Sequence, residues 1–225
     1  MEFLIQTDQR LFFVMPHIQG TVLSDILREN RGRLKEEQIR FYAAQIILAI
    51  GDLHCKGIMH RNLTTENIVV EQDGYIKIID FGYAKMMQDN EVALDHHSGT
   101  PEYKAPELVR KQAHDKTVDW WAVGIIIYEM LIGITPFFDK RRQVLTNRIL
   151  HESPKFPSKS KYKIEYSDEI VDLIQKLLEK EVYKRLGTNN DHIEIMQHSF
   201  FHGISEEDLQ LKQTIPPIFP LDAQC

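Results

Sequence analysis

The residues with the clearest chemical potential lie between positions 60 and 67, where the sequence reads HRNLTTEN. The segment brings together a histidine, an arginine, a glutamate and two asparagines just before an apolar stretch at 68–70 that is typical of a β-strand. Asn62 carries an amide and no ionisable carboxylate, so it can orient a hydroxyl group by hydrogen bonding but cannot act as a base near neutral pH. The pattern at 60–67 therefore predicts a loop that can orient a hydroxyl group but has no proton acceptor at position 62.

Three further motifs follow this segment along the chain. DFG at 80–82 comes directly after an apolar strand predicted at 75–79, and the Asp-Gly pair at 73–74 predicts a hairpin turn before that strand. GTPEY at 99–103 leads into APE at 105–107, and DWWAVG at 119–124 completes the series. A single short match carries little weight, so the order of the motifs is the stronger signal.

In this order and spacing the motifs resemble those of protein kinases, and most closely those of the AGC group of Ser/Thr kinases, in its protein kinase B and protein kinase C branch. VDWW at 118–121, KRLG at 184–187, HSFF at 198–201 and the Pro pair at 216–217 extend the similarity along the chain. The resemblance implies an α+β, mainly α, protein-kinase-like fold: a helical large lobe with only the last two strands of the small lobe. We expect the small-lobe remnant and hinge entry at 1–15, the large lobe at 16–203, and the start of the AGC C-terminal tail at 204–225.

Two positions depart from the kinase pattern HRDLxxxN. Asn62 stands where kinases have the Asp that accepts the substrate hydroxyl's proton, and Thr64 stands where Ser/Thr kinases usually have a Lys that contacts the transferred phosphate. The chain contains no Gly-x-Gly-x-x-Gly loop, and the ATP-binding Lys of the small lobe is expected before residue 1. The resemblance therefore implies a catalytically impaired Ser/Thr kinase-like domain, a pseudokinase that serves as a binding or scaffold module. The alternative is an N-terminally truncated form of an ATP-dependent AGC kinase that phosphorylates basic protein substrates.

The resemblance also implies ATP and Mg²⁺ as cofactors. Pro16 and Ile18 match the hinge positions that offer a C=O and an N–H to adenine, and Asn67 and Asp80 match the two magnesium-holding positions. Oxygen ligands suit a hard cation that keeps several waters and bridges phosphates. Asn67 and Asp80 also suit a structural role in bracing turns, so two interpretations stay open: a magnesium site and a purely structural role. Without the Gly-rich loop and the Lys, we expect binding of nucleotide to be weak or absent.

Three residues match positions that contact a substrate peptide. Glu66 and Glu129 match acidic positions that select basic residues upstream of the phosphorylated Ser or Thr. Thr100 matches a position in the following loop that bonds the catalytic loop. Glu66 also suits a purely structural role as a brace or a solvated rim carboxylate. The implied partner is a protein or basic peptide.

Five residues match positions that stabilise the kinase fold. The resemblance implies an internal stack of His60, Phe81 and Asp119, which joins the catalytic loop, the DFG motif and the central helix. It also implies a buried ion pair between Glu107 and Arg185. Loss of one partner of such a pair leaves an uncompensated buried charge, which costs about 3 to 5 kcal/mol.

The activation segment departs from the kinase pattern as well. Arg61 matches the arginine that holds a phosphorylated Thr in this branch, but His96 stands at that Thr position, beside Asp95. A phosphate would add a charge of about −1.5 to −2 that orders the segment. We therefore expect no activation by phosphorylation at position 96, with Asp95 as a weaker partner for Arg61.

Composition indicates one domain in a reducing compartment. A chain of 225 residues with 43% hydrophobic residues can build a core without disulfides, and Cys55 and Cys225 are its only cysteines. We therefore expect a cytoplasmic location, with neither a signal peptide nor a membrane span. A net charge of −6 argues against a nucleic-acid partner and is compatible with basic peptides.

Local patterns place several elements. Apolar residues recur at helical spacing from Ile39 to Leu53, which predicts a helix that ends near positions 56–57. A central helix is expected to be stopped by the Thr135-Pro136 pair that follows Gly133, and Ser167 is expected to cap a later helix. Asp191 with Glu194 predicts a capping box. Apolar residues near position 1 should form an exposed edge that a small lobe or a partner protein would cover: Phe3, Leu11, Phe13 and Met15.

Overall fold

A computed structural model describes residues 3–30, 32–87, 91–94, 99–162 and 164–217. The strands are β1 (Phe3–Gln6), β2 (Leu11–Val14), β3 (Gly20–Val22), β4 (Ile58–Met59), β5 (Ile68–Glu71), β6 (Ile76–Ile78) and β7 (Lys85–Met86). The helices are α1 (Leu23–Glu29), α2 (Glu36–Cys55), α3 (Pro106–Val109), α4 (Thr117–Ile132), α5 (Arg142–His151), α6 (Lys159–Tyr162), α7 (Asp168–Leu177), α8 (Asp191–Met196) and α9 (Glu206–Gln210). The mainly α architecture with few strands confirms the predicted fold class.

Helix α4 forms the centre of the core. It is apolar on nearly every face, and Trp120 and Trp121 are fully buried, as expected for a helix surrounded by protein. It packs against α2 and α7. Gly124 permits the close approach of α7, because a Cβ there would lie 2.9 Å from the Leu177 Cβ. The helix ends before the Thr135-Pro136 pair, as expected, and its C-cap is Gly133, whose φ of 95° is the left-handed conformation that glycine adopts readily.

Strands β3, β5 and β6 form a small antiparallel sheet that leads the chain into the DFG motif. The predicted turn between β5 and β6 is present, with Gly74 at a φ of 82°. The Asp73 carboxylate accepts a hydrogen bond from the Tyr75 N–H over 3.0 Å. The hairpin therefore fixes the start of the segment that carries Asp80.

The first part of the expected C-terminal tail is anchored on the same hairpin. The Tyr75 hydroxyl donates to the Thr214 carbonyl over 2.7 Å, and the Lys212 ammonium forms an ion pair with the Asp73 carboxylate. The Lys212 ammonium also lies 5.1 Å from the centre of the Tyr75 ring. Lys212 and Thr214 thus lie against the hairpin, and residues 218–225 lie outside the described residues.

Strands β1 and β2 pair only with each other among the described strands. Their register places Leu4 opposite Phe13 and Ile5 opposite Phe12. All eight side chains of the two strands are exposed, and the apolar ones are between 37% and 64% exposed. Such an apolar hairpin is marginally stable alone, so it matches the predicted remnant of a larger sheet.

The predictions for helix ends were partly right. Helix α2 ends at Cys55, and the Ser167 hydroxyl accepts a hydrogen bond from the Ile170 N–H, as expected of an N-cap. The predicted capping box of Asp191 and Glu194 is wrong. The N-cap of α8 is Asn190, and the Asp191 carboxylate instead binds the charged side chains of His54 and Lys116.

Among the described residues, no helix combines the length and apolar composition needed to cross a membrane.

Candidate functional site

The first turn of α4 holds the loop at 60–67 in place. The buried Asp119 carboxylate accepts hydrogen bonds from the backbone N–H groups of His60 over 2.9 Å and of Arg61 over 2.8 Å. Arg61 has a φ of 65°, a conformation that is uncommon for a residue with a side chain. The two hydrogen bonds to the core stabilise this turn, which directs Asn62 toward the DFG motif.

A buried histidine completes the support for Asp119. The His54 Nε2 atom lies 2.9 Å from Asp119 Oδ2, and its Nδ1 atom lies 3.0 Å from Asp191 Oδ1. Both ring nitrogens face carboxylates, so both must donate and the ring is an imidazolium. Burial favours the neutral ring, but the two carboxylates outweigh it and raise the pKa of His54 to about 9.

Sequence reasoning did not identify His54 as part of the site. Burial alone would raise the pKa of Asp119, yet hydrogen bonds from His54 and from the backbone of Arg61 and His60 hold it below its usual value. The only available signal was spacing, because His54 follows Ile50 by four residues and shares its buried helix face. That pattern predicts burial and does not predict the partner.

We expect stability to depend on pH through His54. Because its pKa is raised from 6.5 to about 9, its contribution is complete below pH 6.5 and is lost as pH rises through 9. The free energy of unfolding should fall by on the order of 3 kcal/mol over this interval. His54→Gln can donate through its amide nitrogen to one of the two carboxylates and does not titrate, so it should flatten the dependence. Urea unfolding of both proteins from pH 6 to 9.5 measures the difference, and parallel curves would contradict the assignment.

The Asn62 amide joins the catalytic loop to two other segments. Its Oδ1 atom accepts a hydrogen bond from the Thr100 N–H over 3.2 Å, and its Nδ2 atom donates to Asp80 Oδ2 over 3.2 Å. Only this assignment of the amide oxygen and nitrogen satisfies both neighbours. A carboxylate at this position would instead face the Asp80 carboxylate, and like charges at that separation repel. Asparagine therefore suits the position for a structural reason.

Asp80 and Asn67 offer oxygen atoms that fit a hard cation. Asp80 is exposed at a φ of 63°, and its Oδ1 accepts from the Gly82 N–H over 3.2 Å. The Asn67 Nδ2 atom donates to the Asn62 carbonyl over 2.8 Å, which leaves Asn67 Oδ1 for another partner. Oxygen atoms of this kind are the ligands that Mg²⁺ prefers, and the assignment of the two residues to one magnesium ion stays a prediction.

The stack predicted for His60, Phe81 and Asp119 is only partly internal. His60 is fully buried, and its Nε2 atom donates to the Ile79 carbonyl over 3.2 Å. The Phe81 ring lies 5.1 Å from the His60 ring but is 48% exposed, so the description of Phe81 as internal was wrong. The ring packs on His60 and leaves about half of its surface to solvent.

The positions matched to nucleotide and phosphate offer fewer contacts. Thr64 is only 3% exposed, so the place of the kinase Lys holds a short, buried, uncharged side chain. Pro16 is exposed and Ile18 is partly buried in the segment between β2 and β3. Their assignment to adenine stays a prediction.

An acidic cluster lies beside the loop. We use this term for the carboxylates of Glu66, Glu102 and Glu129. The Glu129 carboxylate accepts hydrogen bonds from the Tyr103 hydroxyl and, over 3.3 Å, from the Thr65 hydroxyl. Burial raises the pKa of Glu129, and the negative charges of Glu102 and Glu66 raise it further. The hydrogen bonds from the two hydroxyls lower this pKa in part. Among the described residues, none of the three forms an ion pair with a Lys or Arg, so the cluster can accept an external cation.

The buried ion pair between Glu107 and Arg185 is present as predicted. The guanidinium binds both carboxylate oxygens, over 2.7 and 3.0 Å. It also donates to the backbone carbonyls of Thr117 and Glu179. The pair thus ties α3 to α4 and to the segment after α7.

Arg61 is held by the chain near the DFG motif. Its Nε atom donates to the Tyr83 carbonyl over 2.7 Å. The expectations for His96 and Asp95 concern positions that lie outside the described residues. The absence of a phosphorylatable residue at position 96 is a sequence fact, and its consequence stays a prediction.

Comparison with known proteins agrees with this geometry. The protein kinase domain family matches residues 1–201. Serine/threonine-protein kinase Sgk2 of Homo sapiens is 37% identical over 220 residues, which cover 98% of this chain and 58% of that protein. Sgk1 of Xenopus tropicalis is 39% identical, with 98% of this chain and 51% of that protein covered. The RAC serine/threonine-protein kinase of Drosophila melanogaster is 39% identical, with 98% of this chain and 35% of that protein covered.

The chain spans less than two thirds of the length of each of these relatives. All three are Ser/Thr kinases by name, which supports the resemblance to the AGC group. The family match includes the loop at 60–67, the DFG motif and the Glu107–Arg185 pair. The chain therefore belongs to the protein kinase domain family.

Proposed function

We propose that this chain is a kinase-like binding module that holds basic segments of partner proteins and does not transfer phosphate at kinase rates. The observation that carries the proposal is the Asn62 amide, which occupies the place of the catalytic base and is engaged by Thr100 and Asp80. An amide cannot accept the proton of a substrate hydroxyl. Loss of a general base typically removes about 10² to 10⁴ in rate.

The retained binding groups support a partial nucleotide site. Asp80 and Asn67 would hold a magnesium ion, which supplies charge neutralisation to phosphate oxygens when bound. The buried Thr64 provides no positive charge in place of the kinase Lys. We therefore propose weak binding of ATP at most, with Pro16 and Ile18 as the adenine contacts.

The acidic cluster supports the choice of a basic peptide as partner. The three negative carboxylates lie close enough that Glu102 and Glu66 raise the pKa of Glu129. Arg or Lys side chains of a partner would neutralise this repulsion. The exposed β1–β2 hairpin supports a further contact with a small lobe or partner protein. A cytoplasmic location stays a prediction from cysteine content.

A second candidate is an active AGC kinase of which these residues form the large lobe. Retention of the oxygen donors Asp80 and Asn67 favours it, because a pure scaffold does not need a magnesium site. The nucleotide sequence upstream of the Met1 codon discriminates the two. An open frame that encodes a Gly-rich loop and a Lys would favour the kinase.

Fluorescence anisotropy with a labelled Arg-rich peptide tests the proposed function. Glu66→Gln removes one exposed charge of the acidic cluster and should weaken binding about 2- to 5-fold. Because the pKa of Glu129 is raised, binding should also weaken as pH falls and this carboxylate becomes protonated. Glu37→Gln, an exposed glutamate at the start of α2, is the matched control. Equal affinity for all three proteins would contradict the proposal.

A further inference from the structure

Four charged side chains of alternating sign connect the protein surface to the loop at 60–67. The Lys116 ammonium is nearly half exposed and forms an ion pair with the Asp191 carboxylate. The other oxygen of this carboxylate lies 3.0 Å from the His54 ring, which binds Asp119 on its opposite side over 2.9 Å. Asp119 in turn accepts hydrogen bonds from the backbone N–H groups at positions 60 and 61. An exposed cation is thus linked to the start of the loop through buried charges.

Two of these residues occupy positions that are locally unfavourable for them. Lys116 is the N-cap of α4, where Ser, Thr, Asp and Asn are preferred and where the helix dipole disfavours a positive charge. Asp191 has a φ of 52°, a left-handed conformation that is uncommon for a residue with a side chain. The ion pair between the two residues offsets both costs. Strain that is held by one specific contact indicates a role for that contact beyond the two helix ends.

Close packing of α8 on α2 holds Asp191 against His54. Gly51 permits this approach, because a Cβ there would lie 2.4 Å from the His192 ring. The His54 and Asp191 side chains are only 0% and 14% exposed. In such a poorly solvated place, water cannot replace a displaced carboxylate at low cost. A shift of Asp191 therefore changes what holds the His54 ring.

We propose that Lys116 and Asp191 are positioning residues for the loop at 60–67. Through His54 and Asp119 they hold the start of this loop in the conformation that presents Glu66, one carboxylate of the acidic cluster, to a partner peptide. This last step rests on the proposed function, in which the acidic cluster binds a basic segment. The effect of the two residues on the loop itself can be measured without a peptide.

Amide hydrogen exchange at positions 60 and 61, measured by NMR, tests the effect on the loop. Lys116→Met keeps the apolar stem of the side chain and removes its charge, and these two amides should then exchange about 3- to 10-fold faster. Asp191→Asn should act in the same direction, because asparagine tolerates the left-handed backbone but presents a neutral amide. Lys116→Arg retains the charge and should restore slow exchange. The amide of the fully buried Leu173 in α7 reports global unfolding and should change less.

Helix α7 provides a matched control. Lys176 is 50% exposed and pairs with Asp172 over 2.7 Å, and Asp172 lies 2.8 Å from the buried ring of His198. The order of lysine, aspartate and histidine is the same, but the other ring nitrogen of His198 accepts a hydrogen bond from the Phe200 N–H and does not face a carboxylate. Lys176→Met removes the same charge from the surface and should leave exchange at positions 60 and 61 unchanged.

Affinity for the labelled Arg-rich peptide tests the last step. Lys116→Met should weaken binding about 2- to 5-fold, while Lys116→Arg and Lys176→Met should retain it. Unchanged exchange at positions 60 and 61 in Lys116→Met, or equal acceleration there and at position 173, overturns the positioning role. Faster exchange at 60 and 61 with unchanged affinity overturns the link to the acidic cluster. If the unmodified chain does not bind the peptide, the proposed function fails, and the exchange rates still decide whether Lys116 and Asp191 position the loop.

Discussion

Glu107→Gln is expected to lower the free energy of unfolding by about 3 to 5 kcal/mol. The substitution leaves the Arg185 guanidinium charged and buried with neutral partners alone: one amide oxygen at position 107 and the backbone carbonyls of Thr117 and Glu179. The remaining side chain has nearly the same shape, so the loss reports the uncompensated charge rather than a cavity. Urea denaturation at pH 7 measures it. A loss below about 1 kcal/mol would show that water or another group compensates Arg185.

Two controls distinguish the effect of an unpaired buried charge from the effects of losing an exposed ion pair or both buried charges. Arg28→Met breaks an exposed ion pair with Asp25 on α1 and should change stability by less than about 1 kcal/mol. The double variant Glu107→Leu with Arg185→Met removes both buried charges. It should be less destabilising than Glu107→Gln alone, because no unpaired charge remains in the core. A double variant that is clearly less stable than the single one would contradict this interpretation.

Much of the fold could be predicted because its signals are local or resemble a known pattern. Helical spacing after Ile39 predicted α2, the Thr135-Pro136 pair predicted the end of α4, and Ser167 predicted the cap of α7. The Glu107–Arg185 pair spans 78 positions, so only the resemblance to kinases could place it. The spacing of apolar residues shows the period of a helix. It does not show which charged residues, far apart in the sequence, come into contact.

The parts of the site that could not be predicted depend on such distant contacts. Asp191 fits a local capping box, yet His54 and Lys116 bind its carboxylate because charged partners outweigh a backbone N–H. Glu129 was expected to face a peptide, and its bond with Tyr103 is visible only once α4 and the 101–103 turn are placed together. The contact of Asn62 with Asp80 likewise requires both loops in place.

Phosphoryl transfer should require two repairs at once. Fusion of a small lobe from a related AGC kinase to the N-terminus would supply the Gly-rich loop, the phosphate Lys and its Glu. This fusion should bind ATP measurably when magnesium is present, through Asp80 and Asn67, but its transfer rate should stay near background. Asn62 still cannot accept a proton, and its amide is engaged by Asp80 and Thr100.

Adding Asn62→Asp and Thr64→Lys to the fusion should raise turnover on a basic peptide by about 10² or more. The first substitution would provide a carboxylate as the proton acceptor, and the second would provide a positive charge near the transferred phosphate. The chain that carries the same two substitutions without the fused lobe should show no phosphoryl transfer above background. There Asn62→Asp would place a carboxylate about 3 Å from Asp80 with no cation between them, and the buried amine of Thr64→Lys would have no nucleotide phosphate to pair with. Radiolabelled ATP and peptide measure all four proteins, and transfer by the unmodified chain at about 1 to 100 per second would refute the proposed function.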